Sequence, residues 1–235
     1  MTPVDPVPDT VLVIAPHPDD EVLGCGGTIA AWSAAGATVV VLTVCSDLPP
    51  LYREGLAAEI EAEAREAHRV LGVAHSEFLD LPSVEVARLP VAELNGGVER
   101  CARELRPDVV LAPFPDRHVD HRAVFDAAMV AARPVGPGTD IGLVALYETV
   151  SETFWNAPGA EPTFAPTWFV DIGDTLRAKL DAFACFRSQL QEHPGPRTLE
   201  ALEALAVFRG SQQSMRAAEA FQVVRMSTRG RWPRR

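Results

Sequence analysis

His17-Pro18-Asp19-Asp20-Glu21 puts an imidazole and three carboxylates in one short stretch, and His118-Val119-Asp120-His121 puts two further imidazoles around a carboxylate. Imidazole nitrogen and carboxylate oxygen together make the donor set of a divalent cation. Two histidines with one carboxylate suit Zn²⁺ and leave its fourth position open, the catalytic rather than the structural arrangement. His17 and Asp20 stand three apart in a turn that Pro18 stiffens, so both can reach one ion, and His121 is the expected third ligand. One zinc per chain is expected, lowering the pKa of a water in the open position toward about 7. Asp19, beside a ligand without being one, is the candidate general base. His118, three residues before His121, is left to face a substrate, where it can stabilise an oxyanion as imidazolium or protonate a leaving group. Asp120 is the carboxylate expected to hold that ring charged and oriented.

Strands must deliver both segments to one place. The first segment follows Val11-Leu12-Val13-Ile14 and the second follows Val109-Val110-Leu111-Ala112, both apolar runs of buried-strand character. Between them the pattern predicts a helix near Gly27–Ala35 stopping at Gly36, a strand over Ala37–Val44 and a helix over Arg53–Leu71 stopping at Gly72. A short strand at Glu77–Leu81 and a helix carrying Val91, Leu94, Val98, Ala102 and Leu105 complete the interval. After the second segment come a helix from about Asp120 to Ala132, a strand at Leu143–Tyr147, a Pro- and aromatic-rich loop over Phe154–Pro166 and a strand at Trp168–Ile172. The remainder reads as mainly helical. This alternation predicts an α/β fold with a single doubly wound, Rossmann-like, mostly parallel sheet and helices on both faces. Right-handed crossovers place the first strand between the second and fourth, so the two motifs flank one switch-point crevice.

A chain of 235 residues, 47% hydrophobic and 23% charged, is long enough for one domain with a well-buried core. Its net charge of −11 argues against nucleic-acid binding, which needs a basic surface. The basic cluster from Arg225 through Arg229, Arg231, Arg234 and Arg235 reads as a solvated terminal tail. Cys25, Cys45, Cys101 and Cys185 lie far apart with no C-x-x-C pair, as in a cytoplasmic protein with reduced thiols. Cys25 reads as a packing residue in a tight turn. Met1–Pro8 carries no basic residue and so no secretory signal, and the apolar runs are strand-sized, so no membrane span is expected.

Gly24-x-Gly26-Gly27 lacks the third-glycine spacing of a nucleotide fingerprint and follows acidic residues that would repel pyrophosphate, so it reads as close strand–helix packing. The chain as a whole resembles the PIG-L/LmbE-like family of zinc-dependent N-acetylglucosaminyl deacetylases. The A-H-P-D-D-E signature matches at Pro16–Glu21, with Pro16 where Ala often precedes the histidine, and the H-x-D-H signature matches at His118–His121. Resemblance extends to Ala67 with Leu71-Gly72-Val73, to Lys179, to Phe186-Arg187-Ser188-Gln189 and to Ala218-Glu219-Ala220-Phe221. It implies one LmbE-like deacetylase domain over residues 1–235, with 226–235 as a basic tail. It also implies His17, Asp20 and His121 as zinc ligands, Asp19 as base and His118 as transition-state stabiliser. The implied substrate is a small aminosugar conjugate, which releases acetate and a free amine; a homo-oligomer is also compatible.

The chain departs from the family pattern in two places. Thr43-Val44-Cys45-Ser46-Asp47 stands where many relatives have T-x-G-E, and Ile60 stands where an arginine often precedes the position of Glu63 by three. Both regions border the substrate pocket in relatives, so sugar recognition is expected to differ. Arg53 or Arg65 can compensate or simply be solvated. Asp47, Arg53, Arg117, Phe154 and Trp155 are weaker candidates for substrate contact, and His68 reads as an exposed helix residue. Two other readings stay open: a metal-dependent phosphoesterase, which would use two metals about 4 Å apart, and a non-catalytic sugar-binding relative, which would need no base beside the ligands.

Overall fold

The computed structural model describes residues 7–228 and Trp232. Within them one sheet forms from β1 (Thr10–Ala15), β2 (Thr38–Ser46), β3 (His75–Pro82), β4 (Val109–Pro113), β5 (Leu143–Tyr147), β6 (Trp168–Asp171) and β7 (Ala218–Met226). Their order is β3-β2-β1-β4-β5-β7-β6. Strands β3 through β5 pair in parallel, whereas β7 runs antiparallel to both β5 and β6. The longer helices are α1 (Asp20–Ala34), α2 (Leu56–Leu71), α3 (Val91–Leu105), α4 (Val119–Ala131), α5 (Leu176–Phe183) and α6 (Leu199–Ser211).

Strand alternation sorts the core into two layers. Val11 and Val13 of β1 face a cluster that includes Ile29 and Trp32 of α1, Ala67 and Leu71 of α2, Phe183 of α5 and Leu202 of α6. Leu12 and Ile14 face the other side, against Leu94 and Val98 of α3 and Val124 and Ala127 of α4. All four β1 side chains are fully buried, each worth about 1.5–3 kcal/mol relative to exposure. A strand buried on both faces has no use for polar alternation, which is why β1 and β4 read as continuous apolar runs.

The register sets the site. Ala15 at the end of β1 lies beside Thr43, and Val13 lies beside Leu111, two residues before β4 ends. The loops after β1 and β4 therefore open at the same end of adjacent strands, as the expected order requires.

Two stretches differ from the sequence expectation. Helix α1 begins at Asp20, ahead of the glycines, and bends at Cys25, whose dihedrals (φ −144°, ψ 21°) leave the helical region. Cys25 is thus a buried residue at a helix kink, not part of a tight turn. The glycines are there for close approach: a Cβ on Gly24 would lie 2.2 Å from Tyr147 Cδ2, and one on Gly27 would lie 2.8 Å from Ile172. The kink frees backbone donors, and Glu219 of β7 accepts from Gly27 N–H at 2.9 Å and Thr28 N–H at 2.7 Å. Lys179 of α5 pairs with the same carboxylate at 2.5 Å and donates to Leu23 O at 2.8 Å.

The second difference is β7, in a segment read as mainly helical. Alanine and glutamate favour a helix locally, but sheet pairing wins because Ala218–Phe221 lie between two strands and are buried. Arg225 belongs to β7 and donates to Ala132 O at 2.8 Å. Of the basic tail, Arg229, Arg231, Arg234 and Arg235 lie outside the described residues, and Trp232 packs against Trp32 and Trp168. No helix among the described residues is long and apolar enough to cross a membrane.

Candidate metal centre

The turn from β1 into α1 is held in an unusual backbone conformation. Asp19 has φ 119°, a region that L-residues avoid and that costs about 1–3 kcal/mol. Its N–H donates to Glu21 Oε2 at 3.3 Å. Glu21 Oε1 in turn lies 3.1 Å from His68 Nε2, and His68 Nδ1 lies 2.6 Å from Ser76 Oγ. His68 is thus 2% exposed, contrary to the surface position read from sequence. It links the turn to α2 and β3.

Three donors converge at the strand ends. Asp20 Oδ2 lies 3.3 Å from His17 Nδ1 and 3.3 Å from His121 Nε2. The opposite nitrogen of each ring meets a different carboxylate: His17 Nε2 is 2.9 Å from Asp120 Oδ2, and His121 Nδ1 is 3.0 Å from Asp116 Oδ2. With a metal bound, each outer carboxylate would hold its imidazole's proton outward and leave the inner lone pair to the ion, as metal-binding histidines are held. A tetrahedral zinc with bonds of about 2.0–2.1 Å keeps its ligand atoms about 3.3 Å apart, so the spacing around Asp20 fits the ion. The fit rests on this donor set. Thr149 Oγ1 donates to Asp20 Oδ1 at 3.4 Å, and Thr153 Oγ1 donates to Asp116 Oδ2 at 3.1 Å.

Burial pulls the His17 ring down, but its bonds to Asp120 and Asp20 outweigh that and carry it up to about 9. Burial opposes charge on His121 too, and Asp20 and Asp116 lift it to about 10. Burial raises Asp19 to about 7, with Arg197 pulling the other way.

His118 borders the same centre: its ring centroid lies 4.7 Å from that of His17 and 5.0 Å from that of His121. Its Nδ1 accepts the Asp120 backbone N–H at 3.2 Å, which leaves Nε2 to carry the proton. Burial and the two neighbouring rings hold it down to about 4. Burial and these neighbouring rings disfavour an imidazolium at His118. Asp120 Oδ2 stays 3.9 Å from His118 Nδ1, so its carboxylate orients His17, and only its backbone N–H orients His118.

Asp19 is 2% exposed, and Arg197 Nη1 lies 3.3 Å from its Oδ2. Both line a cleft of about 140 Å³ with His17, His118, Asp47, Tyr52, Ile60 and Gln189. Arg197 also donates to Gln189 Oε1 at 3.1 Å. The loop carrying Gln189 is tethered by buried Glu63 of α2, which accepts Ser188 Oγ–H at 2.6 Å. Of the weaker candidates, Asp47 borders this cleft. Arg53 pairs with Glu59, and Arg65 pairs with Glu61 while lying 4.7 Å over the Phe78 ring. Arg117 is exposed, and Phe154 and Trp155 are half exposed on a short 3-10 turn.

Residues 12–132 match the family model described as "PIG-L: GlcNAc-PI de-N-acetylase". The chain belongs to the PIG-L family. Among curated relatives, the diacetylchitobiose deacetylase of Thermococcus kodakarensis is 31% identical, over 91% of this chain and 82% of that one. A 1D-myo-inositol 2-acetamido-2-deoxy-alpha-D-glucopyranoside deacetylase of Saccharopolyspora erythraea is 29% identical over 78% of each. The N,N'-diacetylchitobiose deacetylase structure from Pyrococcus horikoshii superposes with a TM-score of 0.74 at 28% identity, covering 95% of this chain and 86% of that one.

Arg197 and Asp116 have roles here that sequence reading did not assign. Arg197 sits in a Pro- and Gly-rich stretch with no periodic signal. Asp116, five residues before His121, could have been found from the habit of metal-binding histidines to lean on a carboxylate.

Proposed function

We propose that this PIG-L family member is an N-deacetylase that hydrolyses the N-acetyl group of an N-acetylglucosamine-type conjugate, with one Zn²⁺ held by His17, Asp20 and His121. The observation that carries this reading is the pair of imidazoles whose outer nitrogens each rest on a carboxylate while their inner nitrogens meet at Asp20. Zinc bound there polarises an acyl oxygen and makes water a better nucleophile at neutral pH.

The chain's own residues do the proton work. Asp19, buried and facing the cleft, takes the proton from the attacking water. A new C–O bond forms at the acyl carbon, and its oxygen gains negative charge. His118 Nε2–H donates to that oxygen, its tautomer fixed by the Asp120 backbone N–H on the other side of the ring. The C–N bond then breaks as Asp19 returns the proton to the leaving nitrogen, giving acetate and a free amine. Arg197 keeps the Asp19 carboxylate turned into the cleft. The four free, buried cysteines support a cytoplasmic location.

The test incubates the protein with neutral and acidic N-acetylglucosaminides and measures acetate and primary amine, with and without a chelator. Equimolar release that stops on chelation is expected. D19A should abolish turnover while keeping its zinc, and H118A should lower kcat by about 100-fold or more. Release from none of the conjugates, or full activity in D19A, would overturn the reading. Phosphate release from phosphoesters in the same panel would transfer the site to the phosphoesterase class.

A further inference from the structure

We propose that His17, Cys45 and Asp120 form a second, inhibitory site for a thiophilic divalent cation such as Zn²⁺, on the side of His17 opposite Asp20. Ligand atoms of these three residues lie within 4.8 Å of one another. Nitrogen and thiolate ligands of one zinc sit about 3.5 Å apart for bonds of about 2.0 and 2.3 Å, so the cluster closes on an ion with a shift of about an ångström.

A second observation points to a missing partner. Asp120 is fully buried, its Oδ2 is taken by His17 Nε2 and Val84 N–H, and its Oδ1 has no hydrogen-bond partner. A buried carboxylate oxygen left unsatisfied is costly, and a cation would satisfy it. Cys45 is built into place: its N–H donates to Pro16 O at 2.8 Å, and the β2–β3 register shifts between Thr43 and Cys45. Such irregularities re-aim side chains. Thiolate, imidazole and carboxylate together select zinc or cobalt over magnesium or calcium.

Binding replaces two protons, one from the Cys45 thiol and one from His17 Nε2, and both pass to solvent. The His17 ring then bridges two ions about 6 Å apart, from bond lengths of about 2.0 Å on either side of the ring. That exceeds the 3.5–4 Å of hydrolytic two-metal sites, so the second ion takes no part in a shared displacement. It removes Asp120 from its hold on His17 and crowds the His118 ring, 4.7 Å from that of His17. Inhibition rests on the proposed deacetylase activity; the site itself does not.

The experiment titrates the zinc-loaded protein with further Zn²⁺ by equilibrium dialysis, and the metal-free protein with Co²⁺ while recording the near-ultraviolet thiolate-to-cobalt charge-transfer band. A second, weaker equivalent is expected, with the band rising only as that equivalent binds. C45A should keep the first equivalent, weaken the second by about tenfold or more and lose the band. Excess zinc should slow acetate release by the wild type, and C45A should need about tenfold more zinc for the same slowing. A single equivalent at saturation, a cobalt spectrum without a thiolate band, or a second equivalent unchanged in C45A would overturn the site. Should C45A fail to fold, the wild-type spectrum decides alone. A second equivalent without inhibition would leave the site standing and overturn its inhibitory role. A chain that binds two ions yet deacetylates nothing would fail the proposed function and not the site.

Discussion

Replacing Asp116 should weaken zinc binding by one to two orders of magnitude although Asp116 is not a proposed ligand. Its carboxylate accepts from His121 Nδ1 at 3.0 Å, Thr153 Oγ1 at 3.1 Å and the His118 backbone N–H at 3.0 Å. A hydrogen bond to a charged acceptor contributes about 1.5–3 kcal/mol, against about 0.5–1.5 for a neutral one. D116N keeps the shape and loses the charge, a difference of about 1.4 kcal/mol or about tenfold in affinity. D116A frees the ring to turn and choose its other tautomer, and about 100-fold is expected, the upper end for such supporting carboxylates. Competition against a chromophoric zinc chelator measures both, with circular dichroism confirming the fold. The double variant D116A/H121A should bind no more weakly than H121A alone, because His121 is the only proposed ligand that Asp116 touches. Zinc affinity within about twofold of wild type in D116A, or additive losses in the double variant, would refute this account of the centre.

Three further outcomes follow from the same geometry. G24A should lose about 1–3 kcal/mol in urea unfolding, since its Cβ meets the Tyr147 ring, while G96A, where a Cβ meets nothing within 4 Å, should be neutral or gain up to about 1 kcal/mol; equal effects would remove close packing as the reason for Gly24. E219A leaves the buried Lys179 ammonium unpaired and should cost about 3–5 kcal/mol by the same measurement, and a loss under about 1 kcal/mol would show the pair to be dispensable. R197A should lower kcat/KM by about 10–100-fold through misplacement of Asp19 with zinc content unchanged, and unaltered kinetics would leave Arg197 as a mere wall of the cleft.

Both halves of the candidate site were legible because each follows a strand buried on both faces, and such strands announce themselves as short apolar runs. The switch-point rule then brought His17 and His121 together from opposite ends of a hundred-residue gap. Legibility failed where tertiary context overrode local preference. Ala218-Glu219-Ala220 carries helix-forming residues, yet the gap between β5 and β6 makes it a strand. His68 lies next to Arg69 and so looked solvated, but it is the buried link between Glu21 and Ser76. Asp120 was expected beside His118 because they are near in sequence. The start of α4 gives His118 only the Asp120 backbone N–H and turns the carboxylate toward His17. Arg197 was invisible because a loop residue meeting Asp19 from far along the chain leaves no periodic trace.

The place of β7 bears on how the protein is made. The strand that holds β6 in the sheet follows every other described strand along the chain, and its Glu219 caps the bent helix that begins at the turn carrying His17 and Asp20. A nascent chain halted before Ala218 would expose the free edge of β5, leave Lys179 without its counter-ion and leave the turn at Asp19 without support from behind. Synthesis must therefore pass β7 before the centre can set, and a product cut short ahead of Ala218 is an unfinished sheet rather than a weak enzyme.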